Sequence, residues 1–332
     1  MALVRPTIKD VASAAGVTAG TVSRALRDDP RVIESTRLRI VEAARHLNYR
    51  PNLQARGLQT GKTGAVGLAC PSGPWILVHP YFTPMHAGFT AAASADGVRV
   101  ILYMPPRNGE LALDAGDVEA RELLDGRVDG SIIYQGHNLS HEILRELQDM
   151  GLAVVLMNTD EEIPGFFQIF SNTRQRISES LRWANEIGAR RVGVLGLSVG
   201  CVFNKILRRS LESIDSAGVV TIHEISNSDP GDTTAVDVAL DALVSEKPDA
   251  LIFNSDPHAA RFLQRQLDGS LPGGIKLFSQ GVIFRVPQIL LPGVHYVEAD
   301  LLAAGRNAYH LFKDAQAGKP PRTESLIWTR RP

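Results

Sequence analysis

Three short stretches with apolar residues at helical spacing, all in the first 48 residues, constrain the fold more than any other feature of the sequence. Gly16 suits the left-handed residue that ends a helix, and Thr7 and Thr18 suit the caps at which helices begin. The pattern predicts two short helices joined by a tight turn and a third helix from about Ser35 to Asn48. Such a unit is a helix-turn-helix, whose second helix enters the major groove of DNA. The apolar positions are Ile8, Val11, Ala12, Ala15, Val22, Ala25, Leu26, Ile40, Ala43, Ala44 and Leu47.

Charge is divided unevenly along the chain. The 332 residues include 35 basic and 36 acidic side chains, which give a formal net charge of −1. Residues 1–62 contain 11 of the basic and 5 of the acidic side chains, so this segment carries +6 and the remainder −7. A basic head on an acidic body indicates a polyanion-binding module joined to a different domain, although charge alone fits a solvated basic surface equally well.

Composition excludes several other classes of protein. No apolar run approaches the length of about 20 residues that a membrane helix needs, and the N-terminus has no signal-peptide core. Two distant cysteines, Cys70 and Cys201, form neither a disulfide scaffold nor a thiolate zinc site, and they suit a reducing cytoplasm. The nine histidines show no metal-binding spacing. We therefore expect a cytoplasmic, nucleoid-associated protein that contacts no membrane and has neither a metal nor a cofactor.

The run TIKDVASAAGVTAGTVSRAL, followed by TRLRIVEAARHLNYRPN, resembles the headpiece of LacI/GalR-family transcription regulators. A weaker resemblance continues to the C-terminus. It implies a homodimer that binds a pseudo-palindromic operator in double-stranded DNA, with a small-molecule effector, a sugar by default, controlling operator affinity. We expect a repressor of a carbohydrate or related catabolic operon. A corepressor-dependent regulator, or one that responds to a sugar phosphate or another metabolite, remains an alternative.

The resemblance assigns DNA-binding roles within residues 1–50. Arg24 takes the position of a basic residue that faces the groove, where a bidentate contact to guanine is the commonest specific contact. Ala19 and Gly20 take the two positions that vary with operator sequence, and both are too small to donate a hydrogen bond to a base. Operator discrimination is then expected to rest more on Arg24, Ser23 and the hinge. Candidates for phosphate contacts, for which plain helix capping or packing is an equally good interpretation, are Thr7, Thr18, Thr21, Asn48 and Tyr49.

Residues 51–62 resemble the family's hinge helix. A helix of this length is not stable alone, and Gly57 in its middle weakens it further. The resemblance places Leu58 where an apolar side chain wedges between base pairs, although a linker leucine packed on the body is the alternative. The other DNA-binding candidates of the hinge are Asn52, Ala55 and Arg56.

Residues 63–332 alternate apolar β-like runs with helical stretches, which predicts an α/β fold of parallel sheets flanked by helices. The runs are AVGLACP, VRVILYMP, GSIIYQG, AVVLMN, RVGVLGL, VVTIHEI, ALIFNSD, IKLFSQG and VHYVEAD. The resemblance implies the two-lobed periplasmic-binding-protein-like fold, which serves for effector binding and dimerisation. We expect lobe 1 at about 63–161 and 291–320, and lobe 2 at about 162–290 and 321–332.

Polar and aromatic residues at predicted strand ends are the effector candidates, because ligands of such folds bind at the carboxyl ends of the strands. Two regions depart from the family pattern. Asn204 and Lys205 are the candidates to replace a family arginine, and Gln280 lies in a motif that has lost its acidic residues. The full set is Tyr81, Phe82, Gln135, Asn158, Asp160, Asn172, Asn204, Lys205, Asp256 and Gln280.

A remote alternative is a serine hydrolase. The segment from Gly196 to Gly200 reads G-x-S-x-G after an apolar strand, the setting of a hydrolase nucleophile, with Ser198 at its centre. Matches this short are common by chance, and the headpiece favours a regulator. We therefore expect no enzyme activity.

Overall fold

The computed structural model describes residues 6–50, 61–70, 77, 81–103, 123–134, 139–198, 207–209, 219–225, 233–254, 256–280 and 293–331. The chain divides into two compact units, Met1–Thr63 and Gly64–Pro332. The predicted hinge residues Asn52, Ala55, Arg56 and Leu58 lie outside the described residues, as do Gln135, Asn204 and Lys205. Among the described residues, no helix is both long and apolar enough to span a membrane.

The first unit contains the three predicted helices: α1 (Ile8–Ala15), α2 (Ala19–Ala25) and α3 (Glu34–His46). Gly16 follows α1 with a φ of 63°, a left-handed conformation that glycine adopts without steric cost. The predicted apolar stripes meet in one small core, to which Val32 in the loop before α3 also contributes. A core this small leaves the ends of the helices dependent on capping and on polar contacts.

Arg37 supplies polar contacts to the loop between α2 and α3. Its side chain is mostly buried, and its guanidinium donates to the backbone carbonyls of Ala25 at 3.0 Å and Asp29 at 2.9 Å. It also pairs with the carboxylates of Asp28 at 2.8 Å and Glu34 at 3.3 Å. These bonds hold the loop between the two helices in place.

The second unit alternates strands and helices in the predicted manner. Its elements in chain order are β1 (Ala65–Ala69), α4 (Thr83–Ala95), β2 (Arg99–Tyr103), β3 (Gly130–Tyr134), α5 (His141–Asp149), β4 (Ala153–Thr159), β5 (Phe167–Phe170), α6 (Thr173–Glu186), β6 (Arg191–Ser198), β7 (Val219–Ile225), α7 (Thr233–Ser245), β8 (Ala250–Phe253), α8 (Asp256–Leu267), β9 (Lys276–Ser279), β10 (Val294–Glu298), α9 (Leu301–Gln316), β11 (Thr323–Ser325) and β12 (Thr329–Arg331). All nine predicted runs contain a strand.

The strands form two sheets of six. The first has the order β11-β5-β4-β3-β1-β2 and all its strand pairs are parallel. The second has the order β12-β10-β9-β8-β6-β7 and is parallel except where β12 pairs with β10. The chain passes between the sheets after β5, after β10 and after β11. This is the predicted fold class of two lobes with parallel sheets flanked by helices.

The limits of the lobes differ from the expected ones. β5 pairs with β4 and therefore lies in the first sheet, although residues from 162 onward were expected in lobe 2. β10 pairs with β9 in the second sheet, and β11 pairs with β5 in the first. Hydrogen-bonded pairing decides to which sheet a strand belongs. Segments β5, β11 and β12 were not recognised as strands from the sequence, and the apolar run of β10 does not show which sheet it joins.

Helices α4 and α9 pack at backbone contact on the first sheet. A Cβ added at Gly88 would lie 2.0 Å from the carbonyl oxygen of Leu302, and one at Gly305 would lie 2.0 Å from that of Met85. Each glycine therefore admits the backbone of the other helix, and neither position has room for a side chain.

We expect the substitution Gly305→Ala to destabilise the second unit by about 3 kcal/mol, because the new methyl group forces two packed helices apart. Thermal melting of the full chain measures this. Gly273→Ala is the matched control, since a Cβ at Gly273 meets nothing within 4 Å. Equal melting temperatures for the two variants would show that α4 and α9 do not pack as described.

Candidate functional site

The second helix of the headpiece begins with a side-chain cap. The Thr18 hydroxyl accepts a hydrogen bond from the backbone N–H of Thr21 at 3.2 Å, and the two threonine hydroxyls lie 3.0 Å apart. Such a cap satisfies one of the free N–H groups at the start of a helix and fixes its first turn. The first turn of α2, which contains Ala19 and Gly20, is thereby held in one geometry.

Arg24 is exposed on α2, where its Nε donates to the carbonyl oxygen of Gly20 at 3.2 Å. Gly20 is also exposed, and Ser23 is half-buried. Ala19, the other position that the resemblance assigns to operator contact, is half-buried and packs against the headpiece core. On the exposed side of α2, Gly20 therefore contributes no side chain and Arg24 contributes a long cationic one.

Besides Thr18 and Thr21 in the cap of α2, the other candidate phosphate contacts are Thr7, Asn48 and Tyr49. Thr7 donates through its backbone N–H and its hydroxyl to Asp10, at 2.7 and 2.8 Å, and these bonds lower the pKa of Asp10. Asn48 follows α3 with a φ of 50°. Tyr49 packs partly against the core, and burial raises the pKa of its hydroxyl. The capping and packing interpretations are therefore supported for Thr7 and Tyr49, although both remain partly exposed.

The effector candidates of the first sheet gather beside the last crossing between the lobes. Tyr81 is buried, and its hydroxyl donates to Asn158 Oδ1 at 2.7 Å. Its ring stacks on Trp328, with ring centroids 6.3 Å apart and an interplanar angle of 16°. The guanidinium of Arg176 lies 5.8 Å from the Tyr81 ring and 5.1 Å from the Trp328 ring. Phe82 is also buried and packs edge-on against Tyr81 at 4.9 Å.

Asp160 and Asn172 bond to other parts of the same region. Asp160 accepts from the backbone N–H and the hydroxyl of Thr173, at 2.8 and 2.7 Å, at the start of α6. Asn172 donates to Gln175 Oε1 at 3.0 Å and to the carbonyl oxygen of Leu326 at 3.2 Å. Asp160 thus ties the start of α6 to the end of β4, and Asn172 ties it to the segment between β11 and β12.

The effector candidates of the second sheet lie at the ends of β8 and β9. Burial raises the pKa of Asp256, and the hydroxyl of Ser279, which donates to its Oδ1 at 2.5 Å, counteracts this. Gln280 is buried and donates through Nε2 to the Ser180 hydroxyl at 2.5 Å. Within the described part of the chain, the side-chain oxygens of Gln280 and of the neighbouring strand-end residue Asn254 accept no hydrogen bond.

One face of α6, formed by Thr173, Arg176 and Ser180, connects the two groups of candidates. Thr173 bonds to Asp160, Arg176 lies against Tyr81, and Ser180 accepts from Gln280. All three side chains are buried. Arg176, Ser180 and Trp328 were not among the sequence candidates. The spacing of Thr173, Arg176 and Ser180 along the apolar stripe of α6 was a usable signal for two of these residues.

Among the described residues, no group of three or more His, Cys, Asp or Glu side chains is placed to hold a metal ion. Ser198 is the last residue of β6, and the rest of the G-x-S-x-G segment after it lies outside the described residues.

Residues 7–52 match the family model of bacterial regulatory proteins of the lacI family. This match agrees with the resemblance of the headpiece to the LacI family that the sequence showed. The chain is 32% identical over 155 residues to the HTH-type transcriptional regulator RegA of Clostridium saccharobutylicum, a match that covers 47% of this chain and 44% of RegA. The matched region thus spans less than half the length of that relative.

Solved structures extend the likeness to the fold of the whole chain. The Lac repressor dimer bound to operator and the anti-inducer ONPF matches with a TM-score of 0.80 at 18% identity, over 98% of both chains. The complex of the transcriptional regulator CelR with cellobiose matches with a TM-score of 0.64 at 20% identity, over 99% of both chains. At these identities the matches establish the fold, which is the one predicted.

We expect Asp256→Asn to raise the melting temperature at neutral pH, because burial disfavours the charged carboxylate and the amide oxygen still accepts from Ser279. The difference in melting temperature between the variant and the wild type should vanish as the pH falls through the raised pKa of Asp256 toward its ordinary value of 3.8, since the wild-type carboxyl then becomes neutral. Melting curves from neutral pH down to about pH 4 measure this difference.

Asp237→Asn is the control of opposite sign. A hydrogen bond from Arg261 lowers the pKa of Asp237, so its charge stabilises the folded chain at neutral pH and this contribution is lost on acidification. The same sign for both variants at neutral pH would contradict the account of Asp256.

Proposed function

We propose that this chain is a sequence-specific DNA-binding transcription regulator that acts as a homodimer. The observation that carries the proposal is the headpiece, in which a capped α2 presents Arg24 beside the smooth surface at Gly20. A helix of this kind enters the major groove and contacts base edges. The printed names of the matched proteins, an HTH-type regulator and an operator-bound repressor, support the same function.

The two-lobed unit is proposed to bind a small-molecule effector, which controls operator affinity. Buried polar groups that accept no hydrogen bond from the described residues, at Asn254 and Gln280, suit a ligand that donates hydrogen bonds, such as a polyhydroxy compound. The cellobiose complex of a protein with the same fold supports a sugar as the default. A repressor of a carbohydrate or related catabolic operon is the corresponding physiological role.

The proposal includes no catalytic step and places the protein in the cytoplasm, associated with the nucleoid. The hinge candidates Asn52, Ala55, Arg56 and Leu58 are proposed to bind DNA beside the headpiece. For the effector, Tyr81, Asn158 and Asp256 are proposed as contacts that become accessible when the lobes move apart, a common motion in such folds.

We expect Arg24→Ala to weaken operator binding by about 1–3 kcal/mol, concentrated at one base pair in each half-site, because a bidentate contact to guanine is lost. Affinities for a set of single-base-pair operator variants measure this. A loss spread evenly over all sequences would make Arg24 a phosphate contact instead.

We expect a sugar, polyol or sugar phosphate to raise the melting temperature of the full chain, because a ligand that binds only the folded state stabilises it by mass action. A thermal-shift screen of these compounds identifies the ligand. Asn254→Ala should weaken its binding, whereas Gly273→Ala, which leaves the strand ends unchanged, should not. A ligand whose affinity is the same for both variants would place the effector elsewhere.

A further inference from the structure

A groove in the headpiece lies between α2 and the segment that leads into α3. Its lining residues are Thr21, Arg24, Arg31, Val32, Ile33 and Thr36. Val32 is nearly buried and gives the groove an apolar floor, while two guanidinium groups and two hydroxyl groups supply hydrogen-bond donors. Neither Arg31 nor Thr36 was among the sequence candidates.

Arg31 is held in place by Asp29. Its Nε donates to Asp29 Oδ1 at 2.9 Å, its Nη2 donates to Oδ2 at 2.7 Å, and its backbone N–H donates to Oδ1 at 3.0 Å. The Asp29 side chain is only 16% exposed, whereas that of Arg31 is 75% exposed. The carboxylate thus fixes one edge of an otherwise free guanidinium and leaves its other edge directed at solvent.

The charges around the groove favour an anion. Asp28 and Glu34, the other two acidic residues of this segment, pair with Arg37. Asp29 is occupied by Arg31, and the Arg24 charge also acts on it, which lowers its pKa further. Within the described headpiece, Arg24 forms no ion pair and donates only to a backbone carbonyl. Over residues 24–37, the four arginines Arg24, Arg27, Arg31 and Arg37 outnumber the three carboxylates of Asp28, Asp29 and Glu34, which leaves a net charge of +1 around the groove.

We propose that this groove receives a backbone phosphate of the operator, with Arg31 and the Thr36 hydroxyl as donors and Asp29 as the residue that positions Arg31. The inference rests on the proposed DNA-binding function. A planar guanidinium donates to a phosphate in a fixed fork geometry, and fixing that geometry in advance reduces the entropy lost on binding. The contact lies beside Arg24 and fixes the register of the base that Arg24 contacts.

The test measures the affinity of the full chain for two DNA duplexes of equal length at several salt concentrations. One duplex is selected by the wild-type chain from a random library, and the other has a random sequence. Arg31→Ala should weaken binding to both duplexes by about tenfold and reduce the slope of log affinity against log salt by about one. Arg39→Ala, which removes an exposed charge on α3 outside the groove, should cost less.

Two further variants test Thr36 and Asp29 separately. Thr36→Val, which keeps the shape of the side chain, should weaken both affinities, because a donor is lost. Asp29→Asn removes a negative charge yet should bring no gain in affinity, because Arg31 is released. Glu42→Gln, which removes an exposed carboxylate on α3, is its matched control and should bring a small gain.

Equal affinities for Arg31→Ala and Arg39→Ala would overturn the phosphate site. A loss for Arg31→Ala that is confined to one base pair would also overturn it, since Arg31 would then contact a base. A gain for Asp29→Asn equal to that for Glu42→Gln would overturn the positioning role of Asp29. Absence of binding by the wild-type chain to any duplex would instead defeat the proposed function itself.

Discussion

Buried polar side chains at the carboxyl ends of the parallel strands are the constraint on which the second unit depends. A buried oxygen that accepts no hydrogen bond costs about 1–3 kcal/mol. The face of α6 formed by Thr173, Arg176 and Ser180 supplies some of these hydrogen bonds. Thr173 bonds to Asp160, and Ser180 bonds to Gln280. The oxygens of Asn254 and Gln280 lack such a bond within the described chain. A ligand that donates to them would therefore displace no hydrogen bond from a described residue.

The two units carry net charges of opposite sign and are stabilised in different ways. The headpiece carries few apolar residues and relies on caps and on Arg37 to fix its helices, while other basic side chains such as Arg24 and Arg39 are exposed. The remainder of the chain is acidic and builds larger cores between sheets and helices. A net charge near zero is therefore the sum of two parts that are suited to different partners.

Much of the fold could be predicted from the sequence because the long elements have strong periodicity. The helices of the headpiece and nine of the twelve strands follow from apolar spacing, whereas β5, β11 and β12 were not recognised, and apolar spacing does not show which sheet a strand joins. Site residues were harder to predict. Residue type and position identified Asp256 and Tyr81, but Arg176 and Trp328 meet only because the chain crosses between the lobes, and Arg31 depends on a local pair with Asp29. Contacts of this kind arise from tertiary geometry.

The proposed function requires ligand binding between the lobes to be coupled to DNA binding by the headpiece. The most direct test is to measure the affinity of the ligand for the full chain with and without saturating operator, and that of the operator with and without saturating ligand. Thermodynamic linkage requires the two ratios to be equal, and coupled sites typically give about 5- to 150-fold. A ligand that binds with the same affinity whether or not operator is present would contradict the account.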